Sequence, residues 1–140
     1  MPPSAISGKT ILITGASSGI GKATAKLLAA NGANLALVAR SAERLQALVK
    51  EIGGDTLALT CDVTSVDQLQ KSVKAAIERF ARVDVLFANA GLYLSGDIAG
   101  GNPSAWGELI DTNVKGVLNS VHAVLPEFLA QAAGDILICS

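Results

Sequence analysis

The sequence predicts an α/β protein, a right-handed, doubly wound parallel sheet covered by helices on both faces. Two observations carry this. Five short runs rich in Ile, Leu and Val recur along the chain, and none of them alternates polar with apolar residues. Strands of that kind are buried on both faces, which happens mainly in parallel sheets sandwiched between helices. Stretches with helical spacing lie between the runs, so strand and helix alternate along the whole chain. With 140 residues, 50% of them apolar, the chain is long enough for one domain with a core and too short for two of ordinary size.

Taken in order, residues 1–8, "MPPSAISG", have neither the basic residues nor the apolar run of a signal peptide and read as a short flexible tail before a domain spanning 9–140. The first strand is Thr10 to Ile13, followed by "TGASSGIG" (Thr14 to Gly21) and a helix that Asn31-Gly32 stops. A second strand, Asn34 to Ala39, leads through Arg40 and Ser41 into a helix stopped by Gly53-Gly54. After the third strand, Thr56 to Cys61, Val66, Leu69, Val73, Ile77 and Phe80 mark one face of a helix. Thr64 with Asp67 three residues on predicts its cap. The fourth strand is Val83 to Ala88. A long helix over 103–132 follows, with Asn102 as cap and Pro103 in the first turn, and it places Trp106, Ile110, Asn113, Val117, Val121, Val124 and Phe128 on one face. Pro126 removes an amide and is expected to kink or split this helix. Asp135 to Cys139 is the fifth strand.

A formal net charge of −1 gives no broad positive field, which argues against nucleic acid or an anionic membrane surface as the main partner. No apolar stretch approaches the length of a membrane span. The two cysteines, Cys61 and Cys139, lie in strand-like runs and suit reduced thiols in a cytoplasmic protein.

Glycine loses more backbone freedom on folding than any other residue, so Gly15, Gly19 and Gly21 at the joint between first strand and first helix need compensation. In doubly wound sheets ligands sit beyond the carboxyl ends of the strands, and this joint lies there. Side-chain-free backbone lets amides approach a pyrophosphate, and the helix start adds free N–H groups and positive potential. Each charge-assisted hydrogen bond contributes about 1.5–3 kcal/mol, against about 1 kcal/mol for a misplaced glycine. The spacing, G-x-x-x-G-x-G, departs from the G-x-G-x-x-G fingerprint, and a glycine trio alone also fits a plain tight turn. A triphosphatase-type phosphate loop does not fit, because Ala23 follows Gly21-Lys22 and Ala16 stands five residues before Gly21.

Four motifs in register, "TGASSGIG", "CDVT" (Cys61 to Thr64), "ANAG" (Ala88 to Gly91) and "DTNVKG" (Asp111 to Gly116), resemble the short-chain dehydrogenase/reductase family over nearly all of Lys9 to Ser140. The resemblance implies a Rossmann-type, three-layer α/β/α fold, a nicotinamide cofactor, and hydride transfer between a carbonyl and an alcohol. It implies that Gly15, Ser17, Ser18, Gly19, Ile20 and Gly21 hold the pyrophosphate, that Asp62 and Val63 border the adenine, and that Asn89, Ala90 and Gly91 stiffen the sheet beside the cofactor. From the residues alone, Ser17 or Ser18 reads as a helix cap, Asp62 as a cap beside Thr64, and Asn-Ala-Gly as an ordinary turn. Binding a free ribose 2′-hydroxyl calls for Asp or Glu at the end of the second strand; Ala39 stands there, and Arg40 suits a 2′-phosphate. The expectation is NADP(H), with NAD(H) as the alternative, although the family's other basic position, before the second glycine, holds Ser18.

Asn113 buries an amide on an apolar helix face and must find partners. It either bonds backbone across a kink or, as the resemblance implies, holds a water of the proton relay; both can hold together. His122 reads as a partly exposed surface residue, and Tyr93 as bordering a substrate mouth without matching the family's catalytic tyrosine. No metal-ligand cluster is evident. The family's chemistry needs a serine after the fifth strand and a Tyr-x-x-x-Lys about a dozen residues later. The chain ends at Ser140, which matches the first of the family's usual serine pair, and has neither the tyrosine nor the lysine. Two readings follow: the front part of an oxidoreductase acting on a small carbonyl or alcohol, or a non-catalytic dinucleotide-binding module. In either case the resemblance implies homo-oligomers formed through the long helix 103–132.

Overall fold

The computed structural model describes residues 4–140. Of the expected tail, residues 1–3 lie outside the described residues; Ser4 to Gly8 forms a turn in which the Gly8 amide donates to the Gly32 carbonyl at 2.8 Å. Strands β1 (Thr10–Thr14), β2 (Asn34–Ala39), β3 (Thr56–Thr60), β4 (Val85–Ala88) and β5 (Asp135–Ile138) alternate with helices α1 (Gly19–Ala30), α2 (Ala42–Ile52), α3 (Val66–Phe80), α4 (Pro103–Ile110) and α5 (Gly116–Ala130). All strands pair in parallel, in the order β3-β2-β1-β4-β5. The chain steps outward from β1 through β2 to β3 and then returns to the other side of β1. The order therefore reverses between β1 and β4, and this opens a crevice at their carboxyl ends.

The pleat sends alternate side chains to opposite faces. Leu12, Ala36, Val38 and Leu86 pack with Leu69, Val73, Ala76, Val124 and Phe128 of α3 and α5. Ile11, Ile13, Leu35 and Leu37 pack with Ala25, Leu45 and Leu48 of α1 and α2. Three layers result. Burial along both faces holds for β1 and nearly all of β2; β3 is largely half-buried and β5 is exposed along its length. The expectation of five doubly buried strands is thus met only at the centre of the sheet, where neighbours and helices cover both sides. Asp84, just before β4, sets the alignment of β4 beside β1. Its carboxylate accepts from the Thr10 amide at 2.9 Å and pairs with Arg82 at 2.7 Å and Lys9 at 3.7 Å.

Two helix boundaries differ from the sequence expectation. The cap of α3 is Ser65, whose hydroxyl accepts from the Gln68 amide, because the Thr64 hydroxyl is engaged with Asp62. The long helix passes through a π-helical turn, Asp111–Lys115, between α4 and α5, and α5 runs through Pro126. Pro126 and His122 are both exposed, so the carbonyl left without its amide partner faces water. Asn102 caps α4 as expected, accepting from the Ser104 amide.

Of the apolar face expected on the long helix, Val117, Val121, Val124 and Phe128 meet the core. Trp106 and Ile110 do not, and with Val114, Leu118, Leu125 and Leu129 they form an exposed apolar stripe. Cys61 is buried just past β3 and Cys139 is half-buried just past β5. These are the two edges of the sheet, four strand spacings or about 19 Å apart, beyond the reach of a disulfide. Among the described residues no helix is long and apolar enough to cross a membrane.

Candidate cofactor site

The turn after β1 is built by close approach. Gly15 adopts φ 66°, and a Cβ there would lie 2.7 Å from the Ala90 Cα. A Cβ on Gly21 would overlap the Gly15 carbonyl oxygen and come within 2.6 Å of Asn89 Nδ2. The turn folds back on the end of β4, and Asn89 fastens it there, its Nδ2 donating to the carbonyls of Thr14 and Gly15 at 3.2 and 3.3 Å. Thr14, which sequence reasoning left without a role, completes the joint. Its hydroxyl accepts from the amides of Asn89 and Ala90 at 3.0 and 3.1 Å. A polar residue closing an apolar run was the signal for it.

At the start of α1, Ser18 occupies the cap position, but its side chain makes no cap hydrogen bond. Lys22 is the first residue of the helix whose amide reaches back, to the Ser18 carbonyl. The amides of Gly19, Ile20 and Gly21 belong to the first turn, where an α-helix offers no internal acceptor. Their N–H groups and the Ser18 hydroxyl present donors and positive potential at one point.

A cleft of about 310 Å³ opens over the carboxyl ends of β1 to β4, near the lower bound of ~300–1,000 Å³ for small-molecule sites. Of the sequence-predicted residues, Gly15, Ser17, Ser18, Arg40, Asp62, Val63, Ala90 and Gly91 line it. Gly19, Ile20, Gly21, Asn89 and Asn113 do not; Asn89 and Gly21 shape the turn from behind. Ser41, Arg44, Leu92 and Thr112 also line the cleft, and none was singled out from the sequence.

Asp62 holds its own loop while facing the cleft. Its Oδ1 accepts from the Thr64 amide at 2.9 Å and the Thr64 hydroxyl at 2.8 Å, and its amide donates to Gln68 Oε1. Val63 is pressed from behind by α5. A Cβ on Gly116 would lie 2.6 Å from Val63 Cγ2, and Asn119 Nδ2 donates to the Val63 carbonyl at 3.0 Å. Burial pushes the neighbouring Cys61 thiol above its ordinary pKa, against a hydrogen bond from Ser72 that lowers it.

Asn113, in the π-helical turn, bonds backbone of the loop after β4 and not backbone across a kink of its own helix. Its Oδ1 accepts from the Leu92 amide at 2.7 Å and its Nδ2 donates to the Leu92 carbonyl at 2.8 Å. Gly91 leaves room for this, since a Cβ there would stand 3.2 Å from Asn113 Oδ1. The π-helical turn spans Asn113, and such turns recur at functional sites. Tyr93 is 88% exposed, and His122 is exposed on α5.

The parallel order, the switch point between β1 and β4, and the glycine turn set against Asn89 define a Rossmann-type domain. The chain belongs to the short chain dehydrogenase family, whose model matches residues 9–140. It is 46% identical over 138 residues to an uncharacterized oxidoreductase of Listeria monocytogenes, covering 96% of this chain and 56% of that protein. Among solved structures it is similar to a short-chain type dehydrogenase/reductase from Mycobacterium marinum (TM-score 0.90, 34% identity, 95% of this chain and 56% of that one). It is also similar to a short chain dehydrogenase/reductase from Burkholderia phymatum in complex with NAD (TM-score 0.91, 32% identity, 96% and 50%). The chain thus spans about half the length of the relatives it matches.

Proposed function

We propose that these residues form the cofactor-binding part of an oxidoreductase that moves hydride between a nicotinamide dinucleotide and a carbonyl or alcohol, preferring NADP(H) to NAD(H). The observation that carries this reading is the turn Gly15 to Gly21, packed so tightly on Asn89 and Ala90 that a Cβ at Gly15 or Gly21 would strike the chain's own backbone, beside first-turn amides without internal acceptors. The residues fit such a cofactor, and the complex of the Burkholderia phymatum relative with NAD supports the assignment.

Bound there, the nicotinamide ring supplies the hydride chemistry. The chain's own residues do the rest. Amides of Gly19 to Gly21 and the hydroxyls of Ser17 and Ser18 hold the diphosphate, Asn89 keeps the turn in shape, and Asp62 and Val63 face the adenine. Arg40, with Ala39 rather than an acid before it, meets a 2′-phosphate. Asn113 spends one donor and one acceptor on Leu92; a primary amide has two N–H groups and two lone pairs, so one of each remains to order a water in a proton relay.

A specific observation supports a second statement, that the 140 residues by themselves bind without turnover. Proton exchange with a substrate oxygen needs an acid within hydrogen-bond reach, and the single tyrosine, Tyr93, stands 88% exposed in the loop after β4. The stripe of Trp106, Ile110, Val114, Leu118, Leu125 and Leu129 supports a homo-oligomer formed through α4 and α5. Thiols held at opposite sheet edges suit the cytoplasm. The test is a calorimetric titration with NADPH and NADH, followed by an alcohol-oxidation assay. Micromolar binding with NADPH preferred and no steady turnover is expected, whereas equal affinities would remove the NADP(H) preference.

A further inference from the structure

We infer that Arg44, in the first turn of α2, is a second specificity-determining residue that grips the 2′-phosphate together with Arg40; the inference rests on the dinucleotide reading. Most basic side chains of this chain are paired. Of its eleven Lys and Arg side chains, eight pair with a carboxylate, namely Lys9, Lys22, Lys26, Lys71, Lys74, Arg79, Arg82 and Lys115. Among the described residues Arg40, Arg44 and Lys50 have no such partner. Arg40 and Arg44 both line the cleft, on the wall beyond the end of β2, and Lys50 does not. Two guanidinium groups without a carboxylate partner therefore line one wall of the cleft. That arrangement suits a ligand that brings more than one negative charge.

The local backbone fixes where the second guanidinium starts. Ser41 caps α2, and its hydroxyl accepts from the Arg44 amide at 3.3 Å, so Arg44 sits one turn from the end of β2. Glu43, the acid in the same turn, does not line the cleft. Asp62, after β3, is the acid that does, with one oxygen already engaged by Thr64. A phosphate monoester carries about −1.5 to −2 at neutral pH and offers three acceptor oxygens. Arg40 alone would leave part of that charge and at least one oxygen unmet; a second fork matches both.

The experiment measures binding of adenosine 2′,5′-bisphosphate and of 5′-AMP, which differ only in the 2′-phosphate, to the full chain and to its R44A and R44K variants. Circular dichroism confirms that each is folded. For R44A, a loss of roughly 10- to 100-fold in affinity for the bisphosphate is expected, with AMP changed less than about 3-fold and R44K between the two. An R44A variant that keeps the wild-type ratio between the ligands overturns the inference, as does an equal loss for both. If the wild-type chain binds AMP but gains nothing from the 2′-phosphate, the role of Arg44 falls while the dinucleotide reading stands. If it binds neither ligand nor NADPH, the dinucleotide reading falls and takes this inference with it.

Discussion

Asn113 holds Leu92 at both ends of its peptide group, accepting from its amide at 2.7 Å and donating to its carbonyl at 2.8 Å. This two-point clamp joins the loop after β4 to the π-helical turn and so ties the cleft wall to the helix. Replacing Asn113 by Ala leaves both Leu92 groups without partners in a partly buried place. An unsatisfied group of this kind costs about 1–3 kcal/mol. Urea unfolding should show N113A destabilised by about that much, and N113D at least as much, because its second carboxylate oxygen would face the Leu92 carbonyl. An N113A unfolding curve matching the wild type would show that the clamp contributes nothing.

Two glycines of one turn should respond differently to the same change. At Gly21 an added methyl meets the Gly15 carbonyl and Asn89, so G21A should shift the turn and weaken dinucleotide binding by at least tenfold. At Gly19, φ is 52° with open space around, so G19A should cost only the ~1–2 kcal/mol of a left-handed backbone and leave the turn's shape alone. Titration of both variants with NADPH distinguishes them, and equal losses would contradict the steric account.

The Cys61 thiol has a raised pKa, chiefly through burial. Ionising it is harder in the folded than in the unfolded chain. The stability this reflects is therefore complete below the ordinary thiol value of 9.0 and is lost as pH rises above it. Stability measured from pH 8 to 10.5 should fall more steeply in wild type than in C61A. At pH 7.5 Cys139 should be alkylated faster than Cys61. Parallel pH profiles would refute the assignment.

Leu118 and Leu129 are 65% and 71% exposed on α5. Lysine at both positions should turn an associating chain into a monomer in sedimentation at micromolar concentration, with little effect on folding. A wild-type chain that already sediments as a clean monomer would argue against the interface.

The centre of the fold was legible because its cause is local. Apolar runs such as Ile11 to Ile13 and Leu35 to Val38 have no polar alternation, and only a doubly covered strand tolerates that. Asn102-Pro103 opens α4 and Gly53 closes α2 where their backbone chemistry requires. What the sequence concealed depends on residues far apart in the chain. The π-helical turn Asp111–Lys115 lies where Asn113 meets Leu92, 21 positions earlier, and not at Pro126. Thr64 lost the cap of α3 to Ser65 because Asp62 holds its hydroxyl, although Ser65 with Gln68 three residues on already fits the capping pattern better. Arg44 reads as one more helix-surface charge until the ion pairs of the other basic residues are known.

Amide-resolved NMR during a titration with NADPH tests diphosphate contact at the joint between β1 and α1 most directly. The amide resonances from Gly15 to Gly21 should shift in a saturable manner, together with those of Arg40, Asp62 and Val63, while α3 stays still. A well-dispersed spectrum in which the Gly15 to Gly21 amides do not move at millimolar NADPH would contradict it.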